Sequence, residues 1–72
     1  MGERRRLTTD VYGMISTDRA GYQVACDLTR GTLVDIERDG DGATWVHAAG
    51  REFRPAAADL LRLRNASAPA PQ

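Results

Sequence analysis

The sequence predicts a small, mainly β domain: an antiparallel five-stranded barrel with a short 3₁₀ turn and disordered tails. Three observations carry that expectation. Apolar and polar residues alternate in several short runs, glycines separate those runs, and no segment sustains a helical period long enough for a long helix. Short strands without a long helix are commonly closed into a barrel, because closure removes exposed edges that invite aggregation.

The elements follow in chain order. Val11 to Ser16 is a weak strand candidate interrupted by Gly13. From Gly21 to Leu28, Tyr22, Val24, Cys26 and Leu28 fall on one side and Gln23, Ala25 and Asp27 on the other, the pattern of a half-buried strand. Thr32 to Arg38 sets Val34 and Ile36 against Asp35 and Glu37, and Ala43 to Ala49 sets Val46 and Ala48 against Trp45 and His47. Between these two runs stands Asp39-Gly40-Asp41-Gly42. Asp-Gly steps between alternating segments signal a hairpin, because glycine accepts positive φ without a Cβ clash.

Ala49-Gly50-Arg51 is a second tight connection, returning the chain into Glu52-Phe53-Arg54. Pro55 has no amide donor and ends that strand, Ala56 to Asp59 reads as a 3₁₀ turn, and Leu60 to Arg64 closes the unit with Leu61 and Leu63 inward. One helix from Ala56 to Leu63 is the competing reading, since Ala, Leu and Arg all favour helix. The expected core is Val24, Cys26, Leu28, Val34, Ile36, Val46, Ala48, Phe53, Leu61 and Leu63.

Domain organisation follows from where large apolar side chains stop. Residues 1–10 are polar, include Arg4-Arg5-Arg6 and read as a flexible basic tail; residues 11–64 are the barrel; residues 65–72, NASAPAPQ, read as a flexible Ala/Pro tail. With 72 residues, 42% of them apolar and 6% aromatic, the chain has room for one thin core and none for a deep catalytic cleft. A domain of this size hides only ~60% of its unfolded surface, so association with a copy of itself or another protein is an expected source of stability. Leu33 and Met14 lie off the expected core face and suit a homodimer contact.

Ten basic and ten acidic side chains cancel, so no global field selects nucleic acid or anionic lipid. All ten basic residues are Arg, and with abundant Ala and Gly this suggests a GC-rich bacterial genome. The single cysteine, Cys26, excludes an intrachain disulfide. No secretory h-region or long apolar run is present, and a cytoplasmic location without membrane association is the expectation.

From Gly21 to Arg64 the order of pieces resembles the Src-homology-3-like barrel: the acidic loop Asp39-Gly40-Asp41-Gly42 precedes Trp45, Gly50-Arg51-Glu52-Phe53 follows, and Pro55, Ala56 to Asp59 and Leu60 to Leu63 finish the unit. In eukaryotic members of that family the Trp and Pro matching Trp45 and Pro55 help form an aromatic-lined groove for proline-rich helices. The family's tyrosine-rich opening motif has no counterpart in Tyr22-Gln23-Val24-Ala25-Cys26, and Ala57-Ala58 stands where it carries a 3₁₀-turn tyrosine.

No catalytic constellation is legible. Cys26 and His47 are single residues expected on opposite strand faces, which argues against a thiolate pair or a zinc site. Glu37 to Gly42 has acids at its first, third and fifth positions and Gly at the sixth, as a calcium loop does, but Ala48 occupies the twelfth position, so a solvated hairpin is expected and no metal or other cofactor. What remains is a non-enzymatic binding or adaptor module, engaging a protein partner or itself through an exposed face with Trp45, His47, Tyr22, Pro55 and Arg54. The competing reading of Trp45 is that it covers the barrel's open end or packs under the Val11 to Ser16 segment. The alternative is a nucleic-acid-binding barrel using Arg51, Arg54, Arg62 and Arg64 together with the basic N-terminal arm.

Overall fold

A computed structural model describes residues 2–71 and consists of seven strands and one helix: β1 (Gly2–Leu7), β2 (Val11–Thr17), β3 (Gln23–Leu28), β4 (Leu33–Arg38), β5 (Thr44–Ala48), β6 (Arg51–Pro55), α1 (Ala57–Asn65) and β7 (Ser67–Pro69). Every pairing is antiparallel, and the sheet runs in the order β3-β2-β6-β5-β4-β1-β7. The mainly β, antiparallel expectation holds, with seven strands in place of five. The sheet is not closed into the expected barrel: β3 and β7 form its two ends.

Alternation places the core. Val34 and Ile36 of β4 face Ala48 and Val46 of β5, Val46 faces Phe53 of β6, and all five are buried. Cys26 and Leu28 of β3 and Met14 and Val11 of β2 complete this cluster, with Leu7 and Leu63 closing it. Val24 packs against it only partly buried. The β4–β5 connection is the expected Asp-Gly hairpin, in which Asp39 donates its N–H to Ala43 O at 2.9 Å and Gly42 adopts a φ of +84°. At the β5–β6 connection both Ala49 (φ 53) and Gly50 (φ 74) are left-handed, the two-residue turn whose twist matches the flanking strands.

Met14, expected off the core, is fully buried. Gly13, with φ +66°, sits in a register break between Val11 and Met14, so one extra residue in the strand turns both apolar side chains inward and leaves Tyr12 exposed. The Asp27 carboxylate accepts the Gly13 N–H at 2.7 Å. Period-two reading fails wherever such a bulge intervenes.

The expected 3₁₀ turn and last strand are instead the helix α1, close to the competing reading. Asp59 in its first turn accepts the Ile15 N–H at 2.9 Å, and Arg62 donates to Tyr12 O at 2.7 Å, so the helix is docked on β2 by its own polar face. The helical turn buries Leu63, half-buries Leu60 and leaves Leu61 60% exposed, which removes Leu61 from the expected core.

Both expected tails contribute strands. β1 pairs with β4 through Arg4↔Asp35 and Arg5↔Val34, and β7 pairs with β1 through Arg5↔Pro69 and Leu7↔Ser67. Arg5 lies on the core side of the sheet with its side chain 15% exposed. Its guanidinium donates to Ser67 Oγ at 2.7 Å, Ser67 O at 2.9 Å and Glu3 Oε2 at 2.9 Å, tying the start of the chain to its end. Arg64 pairs with Glu3 as well. Met1 and Gln72, the outermost residues of the two expected tails, lie outside the described residues. No helix among the described residues is long and apolar enough to cross a membrane.

Candidate interaction face around Trp45

The side of the sheet away from the core presents two rows of side chains. In the first, Arg4 of β1, Asp35 of β4, His47 of β5 and Glu52 of β6 stand in direct register. In the second, Glu37 of β4 faces Trp45 of β5, with Arg54 of β6 beyond. Strand alternation forces this arrangement: with Val46 and Ala48 in the core, Trp45 and His47 must face outward.

Trp45 is therefore outside the core cluster, as expected from the pattern, but it is not exposed. Only 8% of its surface is accessible. Two loops cover it. From the β2–β3 turn, Arg19 lays its guanidinium over the indole at 3.6 Å from the ring centroid and pairs through Nε with Glu52. From the β4–β5 loop, Asp39 Oδ2 accepts the indole Nε1–H at 3.0 Å. Arg54 lies 5.9 Å from the same ring centroid. The expectation of an exposed tryptophan missed this cover because Arg19 is remote in sequence, and nothing local to Trp45 announces it.

Asp39 is the organiser of the loop. Its Oδ1 accepts the N–H groups of Asp41 at 2.9 Å and Ala43 at 3.0 Å while Oδ2 holds the indole. Desolvation pulls its carboxyl upward, but the Ala43 and Asp41 amides, the Trp45 indole and the Arg19 charge together hold it below the ordinary value. The calcium-like spacing from Glu37 to Gly42 thus serves a turn and a tryptophan clasp. Among the described residues no group of three or more His, Cys, Asp or Glu is arranged to hold a metal ion.

His47 stands between carboxylates, with Nε2 3.6 Å from Glu37 Oε2 and Nδ1 3.6 Å from Glu52 Oε2. Asp35 faces it across the strand pair and is held below its ordinary value chiefly by the Arg4 guanidinium, whose Nε donates at 2.8 Å. A shallow depression of about 360 Å³ opens beside this row, lined by Leu33, Asp35, His47, Arg51 and Glu52 among others. Cys26 is buried in the core on the other side of the sheet from His47.

Of the five expected site residues, Trp45, His47 and Arg54 share this outer face. Tyr22 is 71% exposed and belongs to the same β2–β3 turn as Arg19, where Asp18 Oδ1 accepts its N–H at 2.9 Å. Pro55 is a correction: it pairs with Ser16 and is buried, because it shares the inward parity of Phe53. Of the arginines of the nucleic-acid alternative, Arg54 lies beside the Trp45 ring and Arg51 lines the depression next to His47. Arg62 pairs with Asp59, Arg64 and Arg5 with Glu3, Arg4 with Asp35, and Arg6 donates to Gly31 O at 3.2 Å. Sequence reasoning missed Arg19, Glu37, Glu52 and Asp39 as members of the face, although the period-two register already placed Glu37 and Glu52 beside Trp45 and His47. The chain matches no family model, no curated protein and no solved structure.

Proposed function

We propose that this chain is a non-catalytic interaction domain whose recognition surface is the outer face of β4, β5 and β6, centred on Trp45 and His47 and directed at a protein ligand. The observation that carries the reading is the placement of Trp45. The molecule's one tryptophan stands outside the packed core cluster on the outer face, where Asp39, Arg19 and Arg54 hold it under a cover that leaves 8% of its surface accessible. A ligand therefore reaches the ring only by displacing part of that cover. A large amphipathic ring held in one orientation loses little entropy on contact, which is why such rings dominate binding hot spots. Architecture supports the same reading. The order of an acidic loop, a Trp-bearing strand, a tight glycine turn and a strand ending at Pro55 resembles that of a Src-homology-3-like barrel, although α1 stands where that family has a 3₁₀ turn and last strand. The β2–β3 and β4–β5 loops flank the tryptophan.

Selection of a random dodecapeptide library on the immobilised protein, followed by amide chemical-shift mapping of the enriched peptides, tests the reading. Shifts concentrated at Glu37, Trp45, His47, Glu52 and Arg54 are expected. Absence of enrichment, or shifts concentrated on α1 or on the β3 end of the sheet, overturns it.

A further inference from the structure

The Trp45 face has the chemistry of a guanidinium site, and the chain fills it with a guanidinium of its own. Arg19 stacks on the indole at 3.6 Å and directs its Nε to Glu52, while its positive charge also acts on the Asp39 carboxylate. An aromatic plane bordered by carboxylates is the arrangement that receives an arginine side chain, through cation–π stacking on the ring and planar charge-assisted hydrogen bonds at its edge. Glu37 faces Trp45 across the β4–β5 pair and makes no ion pair with an arginine among the described residues. The border of the ring therefore keeps an acidic side after Arg19 is seated.

We propose that Arg19 is a built-in occupant of this site, a latch that an arginine-bearing segment of a protein partner displaces on binding. The inference rests on the reading of the Trp45 face as the recognition surface and adds to it the ligand chemistry and the competing group. Arg19 is suited to leave. It sits in a turn rather than a strand, its side chain is 55% exposed, and its one ion-pair partner among the described residues, Glu52, is 36% exposed. An exposed ion pair and an exposed cation–π contact are each weak, so the closed latch is favoured over the open one by about tenfold. An incoming arginine finds Trp45, Glu52 and Asp39 already positioned and gains Glu37 besides. The local charge favours such a ligand: with Arg19 lifted, three carboxylates, Glu37, Asp39 and Glu52, border the ring, with Arg54 beside it and His47 between Glu37 and Glu52.

The probe is an acetylated, amidated peptide of four Arg-Gly repeats, with the Lys-Gly peptide as its counterpart. Both are titrated into wild-type protein and Arg19→Ala, with Trp45 fluorescence and amide shifts as readouts. In Arg19→Ala the Arg peptide is expected to bind about tenfold more tightly than in wild type, because the fraction of open sites no longer limits the apparent affinity. It should also bind more tightly than the Lys peptide, and adding Glu52→Gln should reverse most of the gain. Arg19→Gln, which keeps the stem over the ring without the charge, gives the same direction should the alanine variant unfold. Equal affinity in the wild type and both variants, no binding, or no preference for Arg over Lys overturns the latch. If library-selected peptides map to Glu37, Trp45 and Glu52 while the Arg peptide gains nothing from removing Arg19, the latch fails and the face stands. If the selected peptides map elsewhere, the face itself fails.

Discussion

Replacing Arg5 with alanine unpins the beginning of this chain from its end. The side chain is 15% exposed and reaches Ser67 by two short hydrogen bonds, 2.7 Å to the hydroxyl and 2.9 Å to the carbonyl. Each contributes about 1 kcal/mol net. The 3.3 Å approach to Arg64 O adds little, and the pair with the 40% exposed Glu3 adds at most about 0.5 kcal/mol. Loss of the packed aliphatic stem costs about another 0.5–1 kcal/mol. The expected total is about 3 kcal/mol, against a whole-domain stability of about 4–11 kcal/mol for 72 residues. In urea, with a slope of ~1 kcal/mol/M for so small a chain, the midpoint should fall by about 3 M. The Ala70 amide, which donates to Arg4 O at 3.0 Å, should lose hydrogen-exchange protection in step. Arg6→Ala is the control. That side chain is exposed and makes one 3.2 Å contact, so its loss should stay within about 0.5 kcal/mol. Arg5→Lys keeps the charge without the planar fork and should fall between the two. If Arg5→Ala unfolds at the same urea concentration as Arg6→Ala, the two chain ends are not structural strands and the reasoning fails.

Three further outcomes follow from the packing and the charges. Leu63→Ala should cost about 2–5 kcal/mol because Leu63 is fully buried, whereas Leu61→Ala, 60% exposed, should be nearly neutral in chemical denaturation; equal losses would return the segment to a strand. Ala49→Asn should raise the melting temperature by a few degrees, since asparagine tolerates the left-handed φ of 53 better than alanine does, and an unchanged or lower value would count against the turn assignment. Acid should destabilise the domain. Glu3, Asp35 and Asp59 are held below their ordinary values of 4.5 for Glu and 3.8 for Asp chiefly by Arg64, Arg4 and Arg62, and Asp39 by amides and the indole against desolvation. A depressed carboxylate contributes stability that is full above its unfolded value and is lost as pH falls through its folded value, so denaturant midpoints should be flat above about pH 5 and decline below it. Midpoints that rise on acidification would contradict those ion pairs.

The elements from β3 to β6 were legible because each rests on local rules. Period-two alternation, Asp-Gly and Ala-Gly turns and the missing amide of Pro55 act over a few residues and do not need the rest of the chain. The outward side of β5 followed from the same parity, which is why Trp45, His47 and Arg54 fall on one face, and inward parity likewise accounts for Pro55. The Gly13 bulge is of a different kind: one extra residue shifts the parity that every simple count assumes, and its place is set by the partner strand.

Composition alone could not recognise β1 and β7, since neither offers an apolar stripe. The strand state of β1 comes from backbone groups along β4 that need partners, and that of β7 from the outer edge of β1 and from Arg5 closing a gap of 62 residues to Ser67. The cover over Trp45 has the same origin. The sequence by itself determined which strands alternate, where they turn and which way the indole points. Tertiary structure decided that polar chain ends would become strands and that Arg19 would lie on the ring, because charge-assisted hydrogen bonds and cation–π contacts are chosen by proximity in space, and no local periodicity encodes which distant arginine arrives.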